Sequence, residues 1–420
     1  MVGQKETTDS IHPDCKKPSA VILIGIGGMG DSTARALLND FPPEECFLRA
    51  AVDPFPDRAL VYPSLRQRGI PVFETLSRCL KEVDGDLAVI ASPIQHHVRQ
   101  CLESLQAGMS VLCEKPLTGA VQEGRTLIGA LRRTSLWIEI GYQWSFSLPI
   151  QDLKRDIGHG IWGEPVRMKS LCLWPRNESY YQRNDWAGKR QDEEGRWILD
   201  SPANNAMAHF LHNMLYLLGD NREESAVPVS VEANACRAFP IENFDSVACR
   251  VRTDKGVELL FFASHAVPDI TGPVFELECA EGTIVYDGPG SSITGRGKDG
   301  ATIEYGDPET DHFRKLRLAV ERGLRGGENV CPPAAALAQT LCVNGIQDSQ
   351  TSVREAPSDL IRRSEQGAVW IEGLDSCFLQ GYRMGKLPSE AGCSWLEKGG
   401  PVDLRGYRRF PGGGRGTGGD

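Results

Sequence analysis

Three stretches of this 420-residue chain carry residues whose types and spacing could do chemistry. The first is Gly25-Ile26-Gly27-Gly28-Met29-Gly30. Glycines at this spacing permit a tight turn at Gly25, close approach of backbone to a pyrophosphate at Gly27, and close packing of the next helix at Gly30. The helix start then offers free N–H donors and a positive dipole end to the anion. Asp53, some twenty residues on, can accept hydrogen bonds from both ribose hydroxyls of a dinucleotide and would repel the 2′-phosphate of NADP. The expected cofactor is therefore NAD rather than NADP, although Arg58 stands near enough in sequence to offset part of that charge. The second stretch is Cys113-Glu114-Lys115-Pro116, a charged pair directly after an apolar run. The third, residues 174–190, interleaves Trp, Tyr, Arg and Asn. Ring faces cover C–H surfaces while polar heads bind hydroxyls or a carboxylate, so Arg183 and Trp186 are candidate substrate contacts. A loop packed across a subunit interface has the same composition and remains open.

The elements that must position these residues follow from hydrophobic periodicity. Ala20 to Gly25, Phe47 to Asp53, Asp86 to Ser92, Ser110 to Lys115 and Leu136 to Tyr142 are continuous apolar runs, separated by helical spacing such as Val98, Cys101, Leu102 and Leu105. Continuous rather than alternating strands imply burial on both faces, as in a parallel sheet covered by helices. The spacing predicts an α/β Rossmann domain over residues 19–150, with Glu114 and Lys115 at the carboxyl end of a strand, where ligands of such sheets bind. After Gly163 strand patterns cluster without intervening helices and the Asp254-Lys255-Gly256 hairpin signal appears. This predicts an α+β domain over 151–355 with an antiparallel sheet, one helix at Asn204–Leu218 and two near residues 312–324 and 333–348. Residues 1–18 form a polar N-terminal segment and 356–397 an extension with one packed helix. The Gly/Arg-rich end, 398–420, is expected to be a disordered terminus rather than an RNA-binding arm.

Composition narrows the class. Forty-six basic against fifty-six acidic side chains leave a net charge of -10, which speaks against a surface for nucleic acid or anionic membrane. Thirteen cysteines are scattered without a close pair, so no zinc-ribbon or redox motif is present, no metal is expected, and the thiols read as buried apolar groups of a reducing compartment. The N-terminus lacks the apolar core of a secretory signal, and no apolar run approaches the roughly 18 residues that span a bilayer. The expectation is a cytoplasmic enzyme.

Taken together, Ser92-Pro93-Ile94-Gln95-His96-His97, then Ala107-Gly108-Met109-Ser110-Val111-Leu112-Cys113-Glu114-Lys115-Pro116-Leu117, after the N-terminal glycine motif, resemble the glucose–fructose oxidoreductase / inositol dehydrogenase / rhizopine catabolism (Gfo/Idh/MocA) family over about residues 19 to 355. The resemblance implies a nicotinamide-dependent sugar or polyol oxidoreductase whose second domain carries an open-faced antiparallel sheet. It implies that Lys115 contacts the reacting hydroxyl and helps proton transfer. It places Ser92, Pro93 and His97 beneath the nicotinamide half of the cofactor, and Tyr142 and Gln143 beside it. It aligns His209 with the family's catalytic histidine and Asn205 with the aspartate four residues before it. On one helix this i, i+4 pair would address the substrate from a shared face. A neutral amide cannot stabilise an imidazolium as a carboxylate would, which leaves His209 a weaker base and Lys115 with more of the proton transfer. His212, one turn later, is either a second substrate contact or a packed histidine.

The reading is an NAD-dependent dehydrogenase acting on a secondary alcohol of a sugar, sugar acid or cyclitol, with a small-molecule substrate and neither nucleic acid nor membrane as partner. The alternatives are an NAD-dependent glycosidase or lyase with transient substrate oxidation, and a non-catalytic dinucleotide- or sugar-sensing protein. Because one face of the second sheet must be covered by something, oligomerisation is expected, and the resemblance implies a homodimer or homotetramer.

Overall fold

The apolar runs of the first third become six parallel strands in the computed structural model, which describes residues 17–350 and 352–412. In chain order they are β1 (Ser19–Ile24), β2 (Cys46–Val52), β3 (Val72–Phe73), β4 (Leu87–Ile90), β5 (Ser110–Cys113) and β6 (Ile138–Ile140), and their spatial order is β3-β2-β1-β4-β5-β6. Between them run α1 (Met29–Asn39), α2 (Tyr62–Gln67), α3 (Leu76–Glu82), α4 (His97–Gln106) and α5 (Val121–Leu131). The central strands are buried on both faces, which is why the runs do not alternate. The strand order reverses between β1 and β4, so their carboxyl ends open a crevice bounded by the glycine turn and the Ser92 loop. Short β3 escapes the sequence pattern because two residues carry no period.

Past α6 (Gln143–Phe146) and α7 (Leu148–Gly158) comes β7 (Pro165–Leu173), then α8 (Glu178–Gln182) and α9 (Ala208–Leu217). Seven strands follow: β8 (Pro228–Arg237), β9 (Ser246–Thr253), β10 (Glu258–Ser264), β11 (Thr271–Cys279), β12 (Gly282–Tyr286), β13 (Ile293–Gly297) and β14 (Thr302–Gly306). Helices α10 (Arg314–Arg325) and α11 (Pro333–Ser349) precede β15 (Arg354–Glu355), β16 (Ile361–Arg363), β17 (Val369–Ile371), α12 (Leu374–Met384) and β18 (Val402–Asp403). The large sheet runs β14-β13-β12-β11-β7-β10-β9-β8-β15, with β18 also on β8. It is mixed rather than wholly antiparallel: β7 with β10 and β8 with β15 are parallel pairs. The Asp254–Gly256 turn joins β9 to antiparallel β10, as its sequence predicts.

Four expectations need correction. First, the helix expected at Asn204–Leu218 starts only at Ala208; residues 202–207 are turns in which Asn205 N–H reaches the Ser201 carbonyl at 2.9 Å. Second, α10 buries Leu316, Ala319 and Val320 against Val21, Leu23 and Leu112, so it completes the parallel domain although it lies late in the chain. Third, the sheet is not open-faced where it is apolar. One face packs on α7, α9 and α11, and the other presents Leu171, Leu173, Ala248, Leu260 and Phe262 to the extension's Phe378, Leu374, Leu387 and Leu396. Residues 356–397 thus cover the face from which oligomerisation was argued. Part of the presumed helix there is instead the β16–β17 hairpin. Fourth, the Gly/Arg-rich end is ordered through Gly412. Val402 and Asp403 pair with β8, Tyr407 hydroxyl donates to Asp348 at 2.6 Å, and Phe410 is buried against Trp197. Two aromatics and a strand outweigh the entropy of the glycines around them. Most of the polar N-terminal segment and residues 413–420 lie outside the described residues. No helix among the described residues is long and apolar enough to cross a membrane.

Candidate active site

The glycine turn has the shape its spacing predicts. Gly25 sits at φ 85°, the left-handed region that favours glycine, and a Cβ there would lie 2.8 Å from the Ala91 carbonyl. At Gly30 a Cβ would stand 2.1 Å from the Gly25 carbonyl oxygen. At Gly27 it would meet nothing within 4 Å, and Gly27, Gly28 and Met29 are exposed at the start of α1. The side chain absent at Gly27 therefore leaves room for a ligand rather than for protein. Ile26 is buried, and its N–H donates to Asp53 Oδ2 at 3.0 Å while Phe55 N–H donates to Oδ1 at 2.8 Å. These bonds lock the Asp53 carboxylate, and each oxygen keeps a lone pair for a ribose hydroxyl. Arg58 stacks on Phe55 at 4.6 Å and forms no ion pair with Asp53 among the described residues. The cradle and the locked carboxylate fit a dinucleotide.

This geometry separates two alanine variants. Gly27→Ala should leave thermal stability unchanged and weaken NADH binding at least tenfold, because only the ligand's space is taken. Gly30→Ala should lower the melting temperature, because backbone must move. Fluorescence titration with NADH beside thermal unfolding checks both; equal stability losses would refute the assignment.

Ser92 and His97 shape the loop that bounds the crevice opposite the glycine turn. His97 is buried, with Nδ1 2.7 Å from the Pro116 carbonyl and Nε2 2.9 Å from the Ser92 carbonyl, so it clamps the Ser92-Pro93 loop to the turn after Lys115. The Ser92 hydroxyl is spent on Gln100. Burial lowers the His97 pKa. With both ring nitrogens held by backbone carbonyls, His97 positions the loop that the resemblance places beneath the nicotinamide half of the cofactor. Glu114 pairs with Lys315 of α10, whose Nζ also donates to the Gly141 carbonyl at 3.2 Å. Lys315 escaped the sequence reading because its partner lies 201 positions away. Gln143 opens α6, with its amide 2.9 Å from His312 Nδ1 and 3.4 Å from Glu309.

Lys115 lies half-buried at the end of β5. Its Nζ donates to the Asn205 backbone carbonyl at 2.7 Å and to Asn205 Oδ1 at 3.3 Å. Burial pulls its pKa down to about 8, opposed by Glu114. The Asn205 amide donates in turn to Asp200 Oδ1 at 2.8 Å, and Asp200 Oδ2 accepts the Gly188 N–H at 2.6 Å. Asp200 is buried and its pKa is raised by that burial. It escaped notice because nothing in a lone aspartate five residues before an asparagine marks it.

His209 stands in the first turn of α9. Its Nδ1 is buried without a partner, and burial, reinforced by the Lys115 and Lys315 charges, holds the ring well below the usual histidine range. A helix N-terminus disfavours imidazolium further. His209 is thus neutral at physiological pH. Because Asn205 lies in the turns before α9, the two approach Lys115 from consecutive elements and not from one helix face.

Tyr142, which the resemblance placed at the nicotinamide and substrate end of the crevice, and His212, for which a packed role was one of two readings, both belong to the packing behind the crevice. Tyr142 is fully buried, its hydroxyl donates to Gln339 at 3.0 Å, and its ring stacks on His212 at 3.9 Å and meets His209 edge-on at 5.9 Å. His212 Nε2 lies 3.0 Å from the Ser145 hydroxyl and 3.4 Å from Cys331 Sγ, and burial drops its pKa to about 3. The apolar helix face that carries His212 turns inward, and an i+3 step from His209 moves it off the crevice.

The 174–190 stretch forms a wall. Trp174 meets Phe210, the neighbour of His209, at 5.5 Å. Arg176 lies over Tyr180 at 4.9 Å, and Arg183 lies over Tyr180 at 3.7 Å and Trp186 at 5.3 Å. Among the described residues no carboxylate pairs with Arg176 or Arg183, and Arg176 Nε is buried without a partner. Arg183 is near enough to depress Lys115 and stabilise ionised Asp200.

Residues 20–142 match the family model described as oxidoreductase family, NAD-binding Rossmann fold, of Gfo/Idh/MocA. The first domain is a Gfo/Idh/MocA domain. The rhizopine catabolism protein MocA of Rhizobium meliloti is 29% identical over 190 residues, 44% of this chain and 58% of that protein. The scyllo-inositol 2-dehydrogenase (NAD(+)) of Bacillus subtilis (strain 168) is 26% identical over 150 residues, 36% of this chain and 43% of that one. The chain thus spans about half the length of these curated relatives. In overall shape it is similar to the WlbA dehydrogenase from Bordetella pertussis, crystallised with NADH and UDP-GlcNAcA, with a TM-score of 0.64, 20% identity, and coverage of 79% of this chain and 95% of that one. That likeness shows the fold alone. The Gfo/Idh/MocA match ends at residue 142, where the crevice residues of the second domain begin.

Proposed function

We propose that this protein is an NAD-dependent dehydrogenase oxidising a secondary alcohol of a sugar acid or a similarly acidic polyhydroxylated molecule. The observation that carries this reading is the Lys115 amine, held by both oxygens of Asn205 at the mouth of the dinucleotide crevice. As a neutral amine Lys115 spends its two N–H groups on Asn205, so the nitrogen lone pair is directed away from them and can take the proton of a substrate hydroxyl. As an ammonium, the third N–H returns that proton in the reverse direction. Bound NAD supplies the hydride acceptor. Neutral His209 offers a ring nitrogen to the hydroxyl and adds no charge that would oppose proton uptake by Lys115. Arg176 and Arg183, both lacking a protein carboxylate among the described residues, supply guanidinium donors for a substrate carboxylate, which favours acids over neutral sugars and cyclitols. The locked Asp53 favours NAD over NADP.

The test is a screen of aldonic and uronic acids, neutral sugars and cyclitols with NAD, followed by NADH absorbance and by product analysis. Acidic substrates should show the higher kcat/KM, with one NADH formed per product; turnover without NADH would replace this reading by a lyase or glycosidase reaction. The pH dependence has a defined sign. Oxidation needs the deprotonated amine, so kcat/KM should rise about tenfold per pH unit below the Lys115 pKa and level off above about 8. Reduction needs the ammonium and should fall above the same pH. A flat oxidation profile between about pH 6 and 9 would exclude Lys115 as the base.

A further inference from the structure

We propose that Asp200 is the positioning residue of this site: through Asn205 it fixes the direction of the Lys115 amine, supplying from five residues upstream the negative charge that position 205 lacks. The inference rests on the dehydrogenase reading for its link to turnover.

The hydrogen-bond polarity of the chain carries it. Gly188 N–H can only donate, so Asp200 Oδ2 must accept. Lys115 Nζ as an ammonium can only donate, so the side-chain oxygen of Asn205 must face it. The Asn205 amino group then faces Asp200 Oδ1, and an ionised carboxylate there accepts it at 2.8 Å. Every member is satisfied in one arrangement, and flipping the Asn205 amide would set its N–H groups against those of Lys115. Asp200 itself is built in. Its N–H donates to the Lys189 carbonyl at 3.0 Å and its carbonyl accepts from Asn243 at 3.1 Å. The residue before it, Leu199, sits at φ 50°, a conformation that costs a side-chain-bearing residue free energy and persists only where its surroundings impose it. The charged groups that face Asp200 are Lys115 and Arg183, both cationic, so the buried carboxylate has compensation on the crevice side.

A charge relocation tests this. In Asp200→Asn the new amide accepts from Gly188 and confronts Asn205 donor to donor. The frustration is passed to Lys115 whichever way Asn205 turns, so kcat should fall on the order of 10- to 100-fold, with NADH affinity unchanged. Asn205→Asp alone sets two carboxylates against each other and should fall comparably. The double variant Asp200→Asn/Asn205→Asp restores an unbroken donor–acceptor order. Gly188 then donates to the new amide at position 200, and that amide donates to the new carboxylate at position 205, which also accepts from Lys115. This variant should regain activity to within several-fold of the parent. A readout independent of turnover is the pH dependence of Lys115 acylation by acetic anhydride, followed by peptide mass spectrometry. The midpoint should drop in Asp200→Asn and recover in the double variant. A double variant no better than Asn205→Asp, or an unmoved Lys115 midpoint in a folded Asp200→Asn, would overturn the proposal. If the Lys115 midpoint moves as expected while Lys115→Ala retains activity, the dehydrogenase reading fails and the positioning role of Asp200 stands.

Discussion

Lys115→Ala should lose about 10²- to 10⁴-fold in kcat/KM for NADH formation, the usual contribution of a positioned acid–base group, while its NADH affinity and melting temperature stay at the parent values. The dinucleotide cradle is built at the ends of β1 and β2, from Gly25, Gly27, Gly30 and Asp53, and none of these touches Lys115. The Asn205 oxygens left without the ammonium face a crevice that water can enter, so folding loses little. Lys115→Arg should be as inactive as the alanine variant, because a guanidinium keeps the charge and cannot release its proton in the working pH range. Steady-state kinetics beside fluorescence titration of NADH check this. Turnover of the alanine variant within a few-fold of the parent would remove Lys115 from the chemistry.

Phe378→Ala should destabilise the protein by about 3–5 kcal/mol, the usual cost of truncating a buried phenylalanine, and lower its melting temperature by roughly 10 °C. Phe378 is fully buried against Phe262 at 6.0 Å between ring centroids, in a cluster that includes Leu171, Leu260, Leu374 and Leu396. If residues 356–397 were a dispensable extension, the same truncation would leave the transition where it is. NADH affinity should be unaffected below the transition, since the cradle belongs to the other sheet. Thermal unfolding followed by circular dichroism, with NADH titration well below the transition, separates the two effects. The variant should also expose an apolar sheet face, so concentration-dependent association on gel filtration is an accompanying result.

How far the fold was legible depended on the length scale of the signal. The parallel domain could be read because β1, β2, β4 and β5 lie largely buried within it and leave continuous apolar runs. The glycine turn could be read because each of its residues meets a steric demand within six positions. The extension could not. Its apolar residues are spread among a hairpin, α12 and the segment around Leu387 and Leu396, and they acquire a common purpose only when folded onto β7, β9 and β10. The Gly/Arg-rich end was misread for the opposite reason: composition averaged over the whole segment hides Val402, Tyr407 and Phe410, whose partners lie far away on β8, Asp348 and Trp197.

The site divides the same way. The chain's own order determines Lys115 at a strand end, Asp53 after β2 and the glycines before α1, because strand, turn and helix place neighbours in sequence as neighbours in space. His209 and Asn205 were found by resemblance, yet their geometry is different from a shared helix face, since the turns of residues 202–207 end before α9 begins. Tertiary structure alone decided the ionisation and direction of these groups. Lys315 pairs with Glu114 from α10, Asp200 holds Asn205 from the preceding loop, and Tyr142 and His212 withdraw into the packing behind the crevice. Those outcomes depend on burial and on charges brought together from distant parts of the chain, and neither quantity exists until the chain has closed on itself.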